Sequence, residues 1–131
     1  MILADTSAWV EYDRTTNSAI SRRVRTIIAD GGGELAVTEP ILMEVLAGAR
    51  DDQRRADLRA LLVSFNWVNI EPVADFEAAA NLYRQCRGAG VTPRGMIDCL
   101  IATIAIRTSC ELLAADGDFE QIARVTPLRL A

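Results

Sequence analysis

The stretch Met1-Ile2-Leu3-Ala4-Asp5-Thr6-Ser7 decides how this chain is read. Two large aliphatic residues and an alanine run directly into a carboxylate and two hydroxyls, and Ala8-Trp9-Val10 follow. An apolar run this short, closed by Asp-Thr-Ser, predicts a buried strand and then a helix start. A strand that begins at the first methionine is expected to leave no room for a signal peptide. It also puts Asp5 at the carboxyl end of a strand, where open α/β sheets bind their ligands. Taken alone, Asp5 reads equally well as the N-cap of the next helix. What separates the two readings is whether other acids converge on it.

Outward from this stretch, short apolar runs alternate with helical patterns. Asn17 is expected to cap a helix carrying Ile20, Val24, Ile27 and Ile28, which Gly31-Gly32-Gly33 stops. Glu34–Val37 predicts a second strand, and Thr38 with Pro40 opens a helix that ends near Gly48. Residues 51–65 predict a charged amphipathic helix, and Val68-Asn69-Ile70 a third strand. Asp75 is expected to cap a long helix closed by Gly88 and Gly90. Met96 to Arg107 is apolar on nearly every side and predicts a buried helix. Glu111–Ala115 predicts a fourth strand, followed by a short helix from Asp118 and a last strand at Pro127–Leu130. Strands alternating with helices predict a three-layer α/β/α domain around a mainly parallel sheet of four to five strands. At 131 residues, one domain spanning 1–131 is expected, with no repeat or linker.

Composition removes whole classes of chemistry. The chain has no histidine, and all 14 of its basic residues are arginine. Ser-His and Cys-His catalysis, histidine-held metals, Schiff-base lysines and Walker-type lysines are therefore excluded. Cys86, Cys99 and Cys110 lack a CxxC pair and read as reduced core thiols. No apolar run reaches membrane-spanning length, so a soluble, cytoplasmic protein is expected. A net charge of -4 argues at first against a nucleic-acid partner. If five acids share one pocket, however, the remaining 13 of the 18 face 14 arginines and the rest of the chain is near neutral.

Those five acids are Asp5, Glu44, Asp98, Asp116 and Asp118. Each has a bland reading. Asp98 in a first helical turn answers the helix dipole, Asp116 or Asp118 caps a helix, and Glu44 lies on an exposed helix face. Together they fall at strand ends and helix starts that share one edge of a parallel sheet. Carboxylates crowded there raise one another's pKa and stay ionised only with cations. An all-oxygen ligand set suits Mg²⁺ or Mn²⁺. Two such ions about 3.5–4 Å apart can drive phosphodiester hydrolysis. Arg94, one turn before Asp98, is the candidate for a phosphate contact near the metals. Arg22, Arg23, Arg25, Arg50, Arg54, Arg55 and Arg59 read as a solvent-facing basic surface.

Four segments carry a family resemblance: residues 1–9, Thr38 to Gly48, Ile97 to Ala102, and Leu112 to Phe119. In order and spacing they resemble the four motifs of PIN-domain ribonucleases, in particular the VapC toxin branch of bacterial toxin–antitoxin pairs. The resemblance covers essentially the whole chain. It implies a PIN-like fold and a Mg²⁺- or Mn²⁺-dependent endoribonuclease acting on RNA, with tRNA the first expectation and ribosomal RNA the second. Asp5, Glu44, Asp98 and Asp116 match its catalytic and metal-binding acids, and Asp118 a fifth member. Thr6 or Ser7 matches a supporting hydroxyl. A homodimer and a cognate VapB-type antitoxin, whose tail enters the acidic groove, are the partners implied. Gly117 stands where family members often carry a larger residue, and Pro93 with Gly95-Met96 is an unusual entry to the Asp98 helix. The competing readings are a catalytically inactive PIN-like binding module and a phospho-accepting receiver domain. The second needs a lysine that this chain lacks.

Overall fold

In the computed structural model, which describes residues 1–131, the opening run forms β1 (Ile2–Ala4), with Leu3 and Ala4 wholly buried. Truncating Leu3 to alanine in such surroundings costs about 2–5 kcal/mol. Helix α1 (Thr6–Asp13) follows at once, with the Asp5 side chain accepting from the Ser7 backbone N–H as its N-cap. Then come α2 (Ala19–Ala29), β2 (Leu35–Val37), α3 (Glu39–Ala47), α4 (Asp52–Leu62) and β3 (Asn66–Trp67). The chain finishes with α5 (Pro72–Gly88), α6 (Met96–Arg107), β4 (Glu111–Leu113) and α7 (Asp118–Val125). No helix is long and apolar enough to cross a membrane.

The sheet has four strands in the order β3-β2-β1-β4, and every pairing is parallel. From β1 the chain steps outward to β2 and β3, then returns to pair β4 with the other side of β1. The register sets Ile2 beside both Leu35 and Glu111, and Ala4 beside Leu113. Asp5 extends the β1–β4 ladder by one rung, its N–H donating to the Leu113 carbonyl at 2.9 Å. Helices cover both faces: α1 packs on α2 and α3, while α5 packs on α6. The order therefore reverses between β1 and β4, and open parallel sheets place ligands at such a reversal.

Several expectations are corrected. Ser18, not Asn17, caps α2, its hydroxyl accepting from the Ser21 N–H at 3.1 Å. Asn17 instead takes Arg22 on its carbonyl oxygen at 2.7 Å. The third strand lies at Asn66–Trp67 rather than Val68–Ile70. Glu39 explains the shift: its carboxylate accepts from the Ile70 N–H at 2.7 Å and the Trp67 indole N–H at 3.1 Å, drawing the chain off the sheet. Asp75 does not occupy the cap position of α5, which belongs to Glu71 ahead of Pro72. The last strand reduces to one parallel bridge between Leu112 and Leu130. The glycine stop after α2 is a steric requirement at Gly32, where φ is +71° and a Cβ would meet the Phe65 ring at 2.6 Å. Cys86, Cys99 and Cys110 are free and buried.

Candidate functional site

A cleft of about 370 Å³ opens at the β1–β4 reversal, lined by Asp5, Thr6, Ser7, Val10, Glu11, Arg14, Glu44, Asp98, Ala115 and Asp116. Four separate backbone segments deliver the acids expected from the sequence. Asp5 is carried by the end of β1, Glu44 by α3 and Asp98 by the first turn of α6. Asp116 stands in the loop between β4 and α7.

Asp5 is 4% exposed, and its two oxygens have different fates. Oδ2 accepts from the Ser7 N–H at 3.0 Å and the Ser7 hydroxyl at 2.7 Å. Oδ1 is buried with no protein partner. A buried carboxylate oxygen left without a donor is costly. Burial pushes the Asp5 carboxyl above the ordinary carboxylate range; hydrogen bonds from Ser7 and the Thr6 backbone pull it back, and the Glu44 charge adds to the rise.

The two hydroxyls after Asp5 divide the bracing between them. Ser7 Oγ donates to Asp5 and accepts from the Ala115 N–H at 2.9 Å, tying the end of β1 to the loop after β4. Thr6 Oγ1 donates to Glu44 Oε1 at 2.7 Å. Both residues therefore hold the cleft, where the sequence left open which one did.

Asp98, rather than Asp5, is the electrostatic centre. Its carboxyl is pushed up to about 6, first by burial and then by the charges of Asp5, Asp116, Glu44 and Asp118. Asp98, Asp116 and Asp118 bring one carboxylate oxygen each to within 4.8 Å of one another. Two overlapping sets result, with Asp98 and Asp116 common to the cleft and to this outer cluster. Gly117 does not loosen the turn between the last two aspartates, because the Asp118 N–H donates to Asp116 Oδ1 at 3.0 Å.

Arg94 stands beside the acids, as its position one turn before Asp98 suggested. Its guanidinium donates to Asp118 Oδ2 at 2.6 Å and Asp116 Oδ1 at 2.7 Å, so it clamps two acids of the outer cluster. Of the wider arginine surface, Arg54 pairs with Asp13, and Arg25 reaches the Tyr12 carbonyl at 3.0 Å. Trp9 is wholly buried, stacked on Phe65 at 5.8 Å between ring centroids.

Sequence reasoning missed Glu11 and Arg14. The signal was present: Ser7, Val10, Glu11 and Arg14 follow the i, i+3, i+4, i+7 spacing of one helix face, and all four line the cleft. A face that begins at Ser7, beside Asp5, continues along the cleft wall.

An all-parallel four-stranded sheet with acids gathered at its reversal has a counterpart among known families: the chain belongs to the PIN-domain family, whose model matches residues 2–125. At the level of individual proteins, it is 45% identical over 131 residues to Ribonuclease VapC11 of Mycobacterium tuberculosis (strain H37Rv), covering all of this chain and 98% of the relative. A VapC ribonuclease of Mycobacterium bovis matches at the same 45% identity over 131 residues. Among solved structures, the fold is similar to VapBC2 from Rickettsia felis bound to a promoter DNA fragment. That match has a TM-score of 0.77 at 18% identity and covers 100% of this chain and 98% of the other. It is also similar to Mycobacterium tuberculosis VapC20, a sarcin-ricin loop cleaving toxin, with a TM-score of 0.62 at 16% identity, covering 98% and 99%.

Proposed function

We propose that this protein is a divalent-metal-dependent endoribonuclease and the toxin of a type II toxin–antitoxin pair. The observation that carries the reading is Asp5 Oδ1, a buried carboxylate oxygen with no protein donor, on a residue that lines one cleft with Glu11, Glu44, Asp98 and Asp116. A chain that wanted only a helix cap at Asp5 would not have buried its second oxygen among like charges. The 45% identity to full-length VapC ribonucleases supports the same conclusion.

The donor set fits Mg²⁺ or Mn²⁺: every candidate ligand is a carboxylate oxygen, and neither a thiol nor an imidazole reaches the cleft. Asp5, Asp98 and Asp116 would hold the ion, with Glu44 beside them and Asp118 in the outer cluster. A bound ion would supply charge neutralisation at the phosphate and activation of water. The protein's part is positioning. Ser7 fixes the direction of Asp5 and pins the Ala115 loop, so the spacing of Asp5 and Asp116 is set by one hydroxyl. Thr6 engages Glu44 Oε1 and leaves Oε2 free to orient water in the cleft.

The substrate we favour is a single-stranded loop of structured RNA, tRNA first, because unpaired loops expose the backbone and bases that folded stems conceal. The inhibitor would be a cognate VapB-type antitoxin, and the toxin itself would pair as a homodimer. The Arg94 clamp supports inhibition by a basic tail, since Asp116 and Asp118 already accept a guanidinium within this chain. The same clamp is the observation that favours a second reading, an inactive PIN-like module whose pocket only receives a basic partner. Incubating the protein with total RNA and Mn²⁺ or Mg²⁺, then sequencing fragment ends, separates the two. Discrete new 5′ ends that disappear with EDTA and in Asp5→Ala and Asp98→Asn are expected. Intact RNA under every metal condition would leave the binding module.

A further inference from the structure

We propose that Arg14 is the RNA-positioning residue of the cleft, taking a phosphodiester that flanks the scissile one; this rests on the ribonuclease reading above. Arg14 ends α1 as its C-cap and stands on the cleft-lining face begun by Ser7, Val10 and Glu11. It is the one arginine among the residues lining the acidic cleft.

Its side chain has no partner, although partners stand nearby. Asp13, its neighbour in sequence, is engaged by Arg54. Asp116 is engaged by Arg94. The pairing pattern thus leaves one cation free at the cleft rim.

A side pocket of about 70 Å³ opens from that rim and shares Val10, Arg14 and Glu44 with the cleft. Asp13 lines it as well, and its carboxylate is taken by Arg54. An unpaired guanidinium at this rim calls for a ligand rich in acceptors. Phosphate oxygens meet that description. An acidic peptide meets it too, but its carboxylates would lie beside Asp5, Glu44, Asp98 and Asp116 with nothing to bring them there. A phosphodiester chain is delivered by the cleavage reaction itself, since one nucleotide bound at the acids forces the next phosphate to lie close by.

The backbone fixes where this guanidinium starts. Thr15 has φ of 52°, a left-handed conformation unfavourable for a β-branched residue, and its hydroxyl donates to the Arg14 carbonyl at 2.7 Å. Strain of this kind persists where the surroundings over-determine it, and it concentrates beside functional positions.

The test is made on the full chain with two readouts. Cleavage of an RNA oligonucleotide in Mn²⁺ is compared for wild type, Arg14→Ala, Arg14→Lys and Arg84→Ala, the last an exposed arginine on α5 outside the cleft. Arg14→Ala is expected to raise KM about tenfold or more with a smaller change in kcat. Arg14→Lys should recover part of the loss, and Arg84→Ala should match wild type. In parallel, binding of a labelled single-stranded RNA is followed by anisotropy across a salt series in Asp98→Asn and in Asp98→Asn with Arg14→Ala. Loss of one phosphate contact should reduce the slope of log affinity against log salt by about 0.7, and Arg14→Lys should keep the slope. An unchanged slope overturns the proposal, whatever happens to KM. If wild type cleaves no RNA, the ribonuclease reading fails, and the slope still decides Arg14 separately.

Discussion

Thr6 and Glu44, 38 residues apart in sequence, are joined by a 2.7 Å hydrogen bond from hydroxyl to carboxylate. The next hydroxyl, Ser7, makes the corresponding join between Asp5 and Ala115. Two adjacent side chains at the start of α1 therefore hold the acids Asp5 and Glu44 directly and tie down the loop that carries Asp116 through Ala115. Removing the Ser7 hydroxyl leaves Asp5 Oδ2 with only the Ser7 backbone N–H to hold it and leaves the Ala115 N–H without its acceptor. We expect Ser7→Ala to weaken Mn²⁺ binding and cleavage by about 10- to 100-fold, the usual penalty for losing a residue that orients a metal ligand. Thr6→Val, which keeps shape and deletes only the hydroxyl, should reduce kcat and leave the melting temperature within a few degrees of wild type. Metal titration followed by calorimetry, with cleavage kinetics alongside, checks both. Full activity in Ser7→Ala would mean that Asp5 needs no orienting partner.

The crowding at Asp98 makes the metal-free protein sensitive to pH in a definite direction. Its carboxyl titrates at about 6 in the fold against 3.8 in the reference state. A raised folded pKa contributes stability that is complete below the unfolded value and lost as pH rises through the folded one. Metal-free protein should therefore be more resistant to urea near pH 5 than near pH 7.5. Asp98→Asn should reduce this trend without removing it, because burial raises Asp5 as well, and saturating Mn²⁺ should abolish it by offsetting the charges. Asp75 does not confuse the comparison, because its lowered pKa keeps it ionised across that whole interval. Unfolding curves in EDTA and in Mn²⁺ decide the matter. A metal-free protein that gains stability toward pH 7.5, with wild type and Asp98→Asn alike, would rule out this account.

The same physics explains what the sequence disclosed. β1 was legible because Ile2-Leu3-Ala4 is apolar without interruption and ends at a turn-forming acid, so polarity changed at one residue while burial ran on through Asp5. α6 was legible to its end residues, Met96 and Arg107, because apolar side chains on every face admit only a buried position. The β3 shift was not, since it depends on Glu39 capturing the Trp67 and Ile70 N–H groups from about thirty residues away. Among the candidate acids, Asp5, Asp98 and Asp116 line one cleft from a strand end, a helix start and the loop after a strand, while Glu44 joins them from the interior of α3 rather than its start. Which oxygen is orphaned, which hydroxyl holds which acid, and where Arg94 turns are tertiary facts. They follow from side-chain directions that no local pattern encodes.

Asp75 shows what a buried aspartate looks like when its role is structural. Its side chain is 1% exposed, yet both oxygens are engaged, by Arg107 at 2.8 Å on each and by the Glu71 N–H at 2.8 Å. Burial alone would raise the carboxyl, but the Arg107 hydrogen bonds, the Glu71 N–H and the Arg107 charge together hold it below the usual range. Arg107 also donates to the Asn69 carbonyl at 2.9 Å, so the pair ties α6 to the chain leading into α5. Replacing Arg107 with alanine leaves that carboxylate buried and unpaired and should cost about 3–5 kcal/mol. Asp75→Asn in the Arg107→Ala background should recover part of this loss. By the sign of its shift, the Asp75 contribution is present above the unfolded pKa and disappears as pH falls through the folded one. Denaturant unfolding of the single and double variants measures it. A loss well under 1 kcal/mol in Arg107→Ala would show that water reaches Asp75 freely.

Thr15 and Ser109 are the two non-glycine residues with positive φ, at 52° and 57°, each just beyond a helix end. A left-handed conformation costs an L-residue with a Cβ roughly 1–2 kcal/mol, and glycine in the same place surrenders about 0.5–1 kcal/mol of chain entropy. Relief exceeds the entropic loss, so Thr15→Gly and Ser109→Gly should each raise stability by a few tenths to about 1 kcal/mol, more for the β-branched threonine. Their effects on cleavage should differ. Ser109 follows α6 at the end opposite Asp98, so Ser109→Gly should leave cleavage as it was. Thr15 holds the turn from which Arg14 reaches the cleft rim, so Thr15→Gly should gain stability and lose RNA affinity together. Melting curves and KM values for the two variants test this pairing. A Thr15→Gly protein that is less stable than wild type would show that the threonine is not strained there at all.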